Sequence, residues 1–277
     1  MVVLGSVIYS DALKYLDDFI DSINEQTYKE FDVLLVNDDI DQIILQQRIK
    51  KINSKNIIII DQTKERKSPA QLRVVLLVEA KKRGYDLLVL GDCDDTFSKN
   101  RIYNIEQCYS KNKEYTFYYN DLIMQNGKMA IYGMPNLTYS IEDILQYNYL
   151  GLSNNAINMG KISVEWIESL KECESFVFDW YFFSRLLVMN LKGLYVKNAY
   201  TIYRIHQNNY VGLNQRSREV ISKELMVKKQ HYKSLMKYNR KINDMYEKIK
   251  DMTVEDVPLS MAKTSFWWSN IKLKEEG

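Results

Sequence analysis

The first ninety residues alternate between short apolar runs and longer segments in which apolar residues recur every three or four positions. Short apolar runs between polar residues predict buried strands, and the longer periodic segments predict helices. Gly84 directly follows the third helical segment, where a left-handed helix cap is expected. This alternation predicts a doubly wound α/β fold built on a parallel sheet. The predicted strands cover residues 2–8, 31–36, 56–60 and 87–90, and the predicted helices cover residues 11–26, 40–53 and 70–83.

Three of the four predicted strands run into aspartate. Asp38 and Asp39 follow the second strand, Asp61 follows the third, and three aspartates within residues 92–95 follow the fourth. When the connections are right-handed, the carboxyl ends of these strands lie at one edge of the sheet. Ligands of open α/β sheets bind in the crevice outside that edge. The sequence therefore predicts a polar binding site there.

The fourth strand and its turn carry the strongest chemical signal. Residues 87–95 read Leu-Leu-Val-Leu-Gly-Asp-Cys-Asp-Asp, so a buried strand stops at three carboxylates. Carboxylates this close repel one another unless a cation neutralises them, and Mg²⁺ and Mn²⁺ prefer such ligands. The alternative is a solvated acidic turn in which Asp95 or Thr96 caps a helix that begins near Ser98.

Several common site motifs are absent from the sequence. The turn at residues 5–11 lacks the Gly-x-Gly-x-x-Gly of dinucleotide-binding proteins, and no phosphate-binding P-loop motif occurs. Neither a Gly-x-Ser-x-Gly nor a His-Glu-x-x-His motif is present. His206 and His231 are the only histidines, so histidine-centred nucleophilic catalysis is poorly supplied. Acidic strand ends with nearby arginine and lysine instead favour a metal-bound nucleoside diphosphate.

Composition narrows the class of protein further. The 277 residues carry a formal net charge of +2, which argues against a nucleic-acid partner. Cys93, Cys108 and Cys173 have no metal-ligand spacing and are typical of a reducing compartment. No apolar run reaches membrane-spanning length, and no basic segment followed by an apolar stretch opens the chain. These observations predict a cytoplasmic location.

Short motifs follow one another along the chain. They are Ser-Ile-x-x-Gln-Thr-Tyr at 22–28, Asn-Asp-Asp at 37–39, Pro-Ala-x-x-Arg at 69–73, Asp-Cys-Asp-Asp at 92–95, Phe-Asp-Trp at 178–180 and Tyr-Arg-x-His-Gln-Asn-Asn at 203–209. In this order they resemble glycosyltransferase family 2, and most of all its rhamnosyltransferase-like bacterial members. The resemblance implies the GT-A fold, a Rossmann-like, mostly parallel sheet flanked by helices. The sequence departs from the family pattern at Ile40 and Asp41, where glycine and serine are usual, and at Val74, where asparagine is usual.

The resemblance implies specific roles at the acidic edge. Asp94, with Asp92 and Asp95 assisting, would hold Mn²⁺ or Mg²⁺. His206 matches a late histidine that completes the metal shell in some GT-A enzymes, and its alternative role is that of a hydrogen-bonded structural residue. The nucleotide-binding residues implied in the same way are Tyr9, Asp38, Asp39, Arg73 and Asp92.

Asp179 is the catalytic base that the resemblance implies. It would accept the proton of the acceptor hydroxyl as the anomeric carbon becomes cation-like. The adjacent Trp180 and Tyr181 would form a wall on which a sugar stacks. The alternative is that Asp179 caps the helix predicted over residues 179–190.

The resemblance ends near residue 213, which divides the chain into a predicted GT-A catalytic domain, residues 1–213, and a C-terminal extension, residues 214–277. Residues 217–250 are basic and helical in composition, and Phe-Trp-Trp follows at 266–268. The first interpretation is a solvated helix anchored on the catalytic domain by these aromatic residues. The alternatives are a peripheral contact with the inner face of the membrane, which suits basic helices with interfacial tryptophan, and a homodimer contact.

Taken together, the residues and the resemblance predict a metal-dependent inverting glycosyltransferase of bacterial surface glycan synthesis. Its donor would be a nucleotide sugar, with uridine or thymidine as the expected base, and its acceptor a glycan or a lipid-linked glycan. One alternative is a degenerate GT-A module that binds a glycan or a partner without catalysis. Another is a sugar-nucleotide nucleotidyltransferase, but the glycine-rich Gly-x-Gly-x-Arg loop of that class is missing.

Overall fold

The computed structural model describes residues 1–64, 66–204, 217–257 and 265–273. The chain forms two compact units. The first unit contains Met1–Met129, Leu152–Glu172 and Gly193–Arg204, and the second contains Ala130–Gly151, Cys173–Lys192 and the described residues after Ile205. The predicted domain boundary at residue 213 lies outside the described residues.

Nine strands and eight α-helices occur in the described parts of the chain. The strands are β1 (Val2–Ile8), β2 (Phe31–Asn37), β3 (Ile57–Asp61), β4 (Leu87–Leu90), β5 (Thr96–Phe97), β6 (Phe117–Met124), β7 (Leu137–Thr138), β8 (Asn155–Asn158) and β9 (Gly193–Tyr203). The helices are α1 (Leu16–Asn24), α2 (Gln42–Ile49), α3 (Pro69–Lys82), α4 (Arg101–Lys111), α5 (Val164–Ser169), α6 (Phe178–Val188), α7 (Arg218–Leu235) and α8 (Arg240–Ile249).

The sheet of the first unit has the strand order β3-β2-β1-β4-β8-β6-β9-β5. Strands β1 to β4 run parallel, with Val2 opposite both Phe31 and Leu87. Strand β8 lies antiparallel between β4 and β6. The carboxyl ends of β1 to β4 therefore lie at one edge, which confirms the predicted placement of the acidic turns.

Burial explains why the apolar runs became strands. All side chains of residues 33–36 and 87–89 are fully buried, as expected for strands covered by helices on both faces. Helix α3 begins where Ser68 and Gln71 form a reciprocal capping box, with Pro69 at the first helical position. Gly84 has φ +75°, so the predicted left-handed cap is confirmed.

Tertiary contacts shorten or shift several predicted helices. The segment predicted as a helix from residue 11 begins as a 3₁₀ turn at Ser10–Ala12, and α1 starts only at Leu16. Ser10 is held in that turn because its N–H and Oγ donate to the Asp39 carboxylate at 2.7 and 2.6 Å. The helix predicted near Ser98 starts instead at Arg101, since residues 96–97 pair with β9 as a strand.

The basic C-terminal segment forms two helices rather than one. Helix α7 ends at Leu235 and a 3₁₀ turn, Met236–Tyr238, follows it. Asn239 then caps α8 by accepting from the Lys241 N–H at 2.9 Å. The segment 265–273 is tied to α7 by a buried ion pair, in which Lys228 Nζ lies 3.6 Å from Glu224 Oε1. Glu224 accepts from the Ile271 N–H at 2.7 Å, and Lys228 donates to the Ile271 carbonyl at 2.6 Å. No helix in the described ranges is both long and apolar enough to cross a membrane.

The aromatic residues of the second unit are used for packing. Trp268 is only 5% exposed, and its predicted role as an anchor on the catalytic domain stays a prediction. Trp180 is fully buried, and its ring stacks on that of His231 with 3.9 Å between centroids. The predicted sugar-stacking wall at Trp180 and Tyr181 is therefore wrong, because both side chains lie inside the core.

Burial of His231 makes the second unit sensitive to acid. Burial, reinforced by the nearby Lys228 ammonium, lowers the pKa of His231 to about 3. The folded protein then keeps this ring neutral at pH values at which the unfolded chain, with a histidine pKa of about 6.5, is already protonated. The stabilisation is complete above that unfolded pKa and is lost as the pH falls from there toward the folded pKa.

We expect His231→Phe to reduce this acid sensitivity, because phenylalanine keeps a ring against Trp180 but cannot titrate. Between pH 7 and pH 5 the free energy of unfolding of the parent protein should fall by about 2 kcal/mol more than that of the variant. Urea unfolding at both pH values measures the difference. Equal losses in the two proteins would mean that His231 titrates normally in the folded state.

Candidate active site

The carboxyl edge of the first unit gathers most of the predicted binding residues. Tyr9, after β1, donates its hydroxyl to Asp94 Oδ2 at 3.4 Å. Arg73, in the second turn of α3, lies 3.6 Å from Asp92 Oδ1. Asp39, after β2, reaches the β1 turn through Ser10. The structure therefore brings together side chains from four separate segments of the sequence.

Arg73 and Asp92 form a half-exposed pair, with side-chain exposures of 32% and 37%. Such a pair adds little to the stability of the protein, so its main consequence is to orient the Arg73 guanidinium. The guanidinium presents a planar set of donors that matches phosphate oxygens as well as a carboxylate. Arg73 can thus bind a diphosphate at this edge.

Asp95 differs from its neighbours because it is only 2% exposed. Its Oδ1 accepts from the Arg204 backbone N–H at 2.9 Å, while its buried Oδ2 has no hydrogen-bond partner. Burial, together with the charges of Asp94 and Asp92, raises the pKa of the Asp95 carboxyl well above its usual range. A polar atom buried without a partner is costly, so this oxygen is a place where a bound cation or water would be stabilising.

A buried arginine lies beneath the acidic turn. Arg101, at the start of α4, is completely buried, and its guanidinium donates to the carbonyls of Leu90 and Ser153 at 2.8 Å each. Its Nε donates to Asn120 Oδ1 at 2.9 Å. Burial lowers the pKa of Arg101 to about 9 although Asp95 and Asp92 oppose the shift, so the guanidinium is charged at neutral pH.

Ser153 links Arg101 to the turn itself. Its Oγ accepts from the Asp92 backbone N–H at 3.2 Å, and its carbonyl also accepts from Thr201 Oγ1 at 2.9 Å. One buried cation therefore holds the end of β4, the segment before β8 and, through Ser153, the first aspartate. These contacts from within the protein position the acidic turn.

Arg204 secures the same turn from the other side. Besides the backbone bond to Asp95, its Nε donates to the Asp94 carbonyl at 2.9 Å. Its guanidinium forms an ion pair with Asp18 at 2.8 Å and lies 4.3 Å from the centre of the Tyr15 ring. These contacts fix the backbone of Asp94 and the carboxylate of Asp95.

The turn after β2 contains structural residues as well as predicted nucleotide-binding residues. Buried Asn37 shapes it by accepting from the Ile40 N–H at 3.1 Å and donating to the Ile40 carbonyl at 2.8 Å. Asp41 caps α2 by accepting from the Ile43 N–H at 2.9 Å, which explains its presence where the resembled family has serine. Burial and the neighbouring Asp39 raise the pKa of Asp38, whose backbone N–H donates to Ile8 at 3.0 Å.

The aspartates do not form a ready-made metal site. Within residues 1–64, 66–204, 217–257 and 265–273, no three or more His, Cys, Asp or Glu side chains are placed together so as to hold a cation. Mg²⁺ commonly binds through one or two carboxylates plus substrate phosphates and water. Partly exposed Asp94 and Asp92, with the unpartnered Oδ2 of Asp95, fit that mode. An assignment of all three aspartates to the metal stays a prediction.

Asp179 and His206 are not among the described residues of the first unit. Asp179 belongs to the second unit and occupies the first turn of α6, where its Oδ1 accepts from the Trp180 N–H at 2.6 Å. The helix cap is Val177, so Asp179 is not the capping residue. Its role as a base stays a prediction, and His206 lies outside the described residues.

Sequence reasoning missed the residues that support the turn. Arg101 gave no signal, because a basic residue near a helix start is usually on the surface and only its burial reveals its role. Arg204 lies within the Tyr-Arg-x-His motif, but its contacts with Asp18 and Asp95 join residues far apart in the chain. Ser153 contributes a backbone carbonyl, which no residue type encodes.

Comparison with known proteins supports the fold assignment. No protein-family model matches the chain, and no curated protein matches it by sequence. Its structure is similar to S. aureus TarS 1–349 in complex with UDP-GlcNAc, at 14% identity and a TM-score of 0.60, over 90% of this chain and 71% of that one. It is also similar to a longer structure of S. aureus TarS, at 14% identity and a TM-score of 0.58 over 92% of this chain. The match covers only 44% of that TarS chain.

A second glycosyltransferase has a similar structure. The mannosyltransferase PcManGT from Pyrobaculum calidifontis, in complex with GDP-Man and Mn²⁺, matches at 12% identity and a TM-score of 0.57, over 85% of this chain and 64% of that one. The predicted fold class is confirmed: the chain has a GT-A-like fold, with a mostly parallel sheet flanked by helices. The narrower assignment to family 2 and its rhamnosyltransferase-like members stays a prediction.

We expect Arg101→Met to be severely destabilising, because it removes a buried charge near Asp95 and Asp92, together with its hydrogen bonds to Leu90, Ser153 and Asn120. The free energy of unfolding should fall by about 3–5 kcal/mol. Arg101→Lys, which keeps the charge but not the planar donors, should lose less. Urea unfolding at neutral pH measures the free energy of unfolding of the parent protein and the two variants.

The matched control for Arg101→Met is Arg83→Met. Arg83 pairs with Glu79 at 3.3 Å on the surface of α3, with side-chain exposures of 41% and 26%. This substitution should cost about 0–1 kcal/mol. Similar losses for Arg101→Met and Arg83→Met would show that the buried guanidinium does not hold the acidic turn.

Proposed function

We propose that this protein is a metal-dependent inverting glycosyltransferase that transfers a sugar from a nucleoside-diphosphate donor to a hydroxyl acceptor in bacterial surface glycan synthesis. The observation that carries the proposal is the convergence of Tyr9, Arg73, Asp92 and Asp94 at the carboxyl edge of a GT-A-like sheet. Structural similarity to TarS with UDP-GlcNAc and to PcManGT with GDP-Man and Mn²⁺ supports a nucleotide-sugar donor.

The donor is bound through its nucleotide. Asp38 and Asp39, at the end of β2, accept hydrogen bonds from the base and the ribose. Tyr9 flanks the nucleotide, Asp92 faces the ribose, and Arg73 pairs with the diphosphate through its planar donors. The expected base is uridine or thymidine.

The residues that would hold the divalent cation are Asp94 and Asp92, with Asp95 and His206 assisting. When bound, Mn²⁺ or Mg²⁺ neutralises the charge that develops on the leaving diphosphate. Arg73 offsets the same charge from α3. The Arg204 backbone N–H holds the Asp95 carboxylate, and the Arg204 guanidinium holds the Asp94 backbone carbonyl. The protein therefore orients the leaving group before reaction, which lowers the reorganisation required in the transition state.

Asp179 acts as the general base. It takes the proton from the acceptor hydroxyl while that oxygen attacks the anomeric carbon from the face opposite the leaving group. A single displacement of this kind inverts the anomeric configuration. The acceptor is a glycan or a lipid-linked glycan.

Nucleotide binding is tested by thermal unfolding with UDP, dTDP, GDP and CMP, each with and without Mn²⁺. A ligand that binds the folded state raises Tm, and at a concentration of about 100 times Kd the stabilisation is about 2.7 kcal/mol. We expect a Mn²⁺-dependent rise with UDP or dTDP that disappears in Asp94→Ala. The control Asp244→Ala removes an exposed aspartate from α8 and should respond like the parent protein. A chain that responds to none of the four nucleotides would be a degenerate binding module.

Catalysis is tested separately with Asp179→Asn, which keeps the shape of the side chain but cannot accept the proton. Transfer of labelled sugar to immobilised oligosaccharides should fall about 10²- to 10⁴-fold, whereas the nucleotide-dependent rise in Tm should persist. Glu174→Gln removes an exposed carboxylate nearby in the sequence and should retain transfer. Full activity in Asp179→Asn would eliminate this residue as the base.

A further inference from the structure

A cleft of about 350 Å³ lies between α7 and α8 in the second unit. Three lysines line it, Lys229, Lys233 and Lys250, together with the polar side chains of Gln230 and Tyr246. No acidic side chain belongs to the lining within the described part of the chain. The cleft is thus a concave surface of the second unit with three positive charges.

The spacing of residues on the two helices produces the cleft. Met226, Lys229 and Lys233 recur at three- and four-residue intervals and therefore share one face of α7. Tyr246 and Lys250 are four residues apart and share one face of α8. The neighbouring face of α7 carries buried Ile221 and Tyr232. On the lysine face, Met226 and Lys233 are exposed and Lys229 is half-buried.

The lysines retain donors for a ligand. Lys229 Nζ donates to the Met252 carbonyl at 2.6 Å, and Lys250 Nζ pairs with Glu247 at 2.6 Å. Each ammonium has three N–H donors, so one such contact leaves two. The Lys250–Glu247 pair is exposed, with side-chain exposures of 40% and 53%, and pairs of this kind are weak. An incoming anion can therefore compete for Lys250.

The acidic groups near the cleft lysines do not belong to the cleft lining. Glu247 pairs with Lys250, and Asp251 contributes to the raised pKa of Lys250. Asp256 is close enough to Lys229 for the lysine to contribute to its lowered pKa, but hydrogen bonds from the Thr253 N–H and hydroxyl are the larger causes. Those bonds measure 2.7 and 2.9 Å. The positive charge of the three lysines is therefore only partly offset by neighbouring carboxylates.

We propose that the α7–α8 cleft binds a phosphate group carried by a soluble phosphorylated chain. Phosphate oxygens accept hydrogen bonds from ammonium, amide and phenol groups, all of which line the cleft. Met226, 47% exposed at its rim, offers apolar contact to the organic part beside the phosphate. A flat membrane is the poorer partner, because Trp268 packs in the core and the Trp267 backbone pairs with Asn148 at 2.9 Å.

The test titrates sodium tripolyphosphate into the full-length protein by calorimetry, without divalent metal. The cleft variant is Lys229→Ala/Lys233→Ala/Lys250→Ala, and the control is Lys223→Ala/Lys237→Ala/Lys248→Ala, which removes the same charge from the same helical region outside the cleft. We expect the parent and the control to bind and the cleft variant to lose at least about tenfold in affinity, with a weaker dependence on salt. Equal losses in both variants, or no binding by the parent protein, would overturn the proposal.

Two further measurements separate this site from the donor site and from lipid. The Mn²⁺-dependent rise in Tm with UDP or dTDP should persist in the cleft variant, and this rise also shows that the variant folds. Conversely, Asp94→Ala should still bind tripolyphosphate. Loss of tripolyphosphate binding in Asp94→Ala would place the anion at the acidic edge instead. Flotation with vesicles of phosphatidylcholine and phosphatidylglycerol should leave the protein unbound, and binding that requires the cleft lysines would assign the phosphate to lipid.

Discussion

The acidic edge depends on one buried cation. Three carboxylates lie within residues 92–95, shortly after β4. Their mutual repulsion is offset by the buried Arg101 guanidinium. That guanidinium also joins the end of β4 to the segment before β8 through the carbonyls of Leu90 and Ser153. Charge compensation and backbone position therefore come from the same group, so the turn cannot keep its geometry if this charge is lost.

Arginine side chains already neutralise part of the charge of the acidic turn. The sequence suggested that the clustered aspartates require a divalent cation, but Arg73, Arg101 and Arg204 already supply positive partners to the turn. In the proposed mechanism a cation neutralises the charge on a diphosphate rather than that of the protein alone. A metal held partly by substrate phosphates would let Asp94 and Asp92 serve as proposed, although the described residues contain no preformed cluster of three such ligands.

The second unit also uses buried charges to hold a segment of the chain in place. Lys228 and Glu224 are almost completely buried on α7, and their charges are balanced by each other and by the backbone at Ile271. Charges oriented inward hold the segment 265–273, whereas lysines on another face of the same helix line the α7–α8 cleft. A basic composition alone does not distinguish these two uses.

Local patterns in the sequence determined much of the fold. Apolar runs and helical periodicity predicted β1 to β4 with the three intervening helices, and aspartates at strand ends predicted the polar edge, because these signals act between near neighbours. The positions of Arg101, Trp180 and Ser10, and the pairing of residues 96–97 with β9, were decided only by tertiary structure. Each depends on burial or hydrogen bonds between residues distant in the chain, and such contacts leave no local periodicity to read.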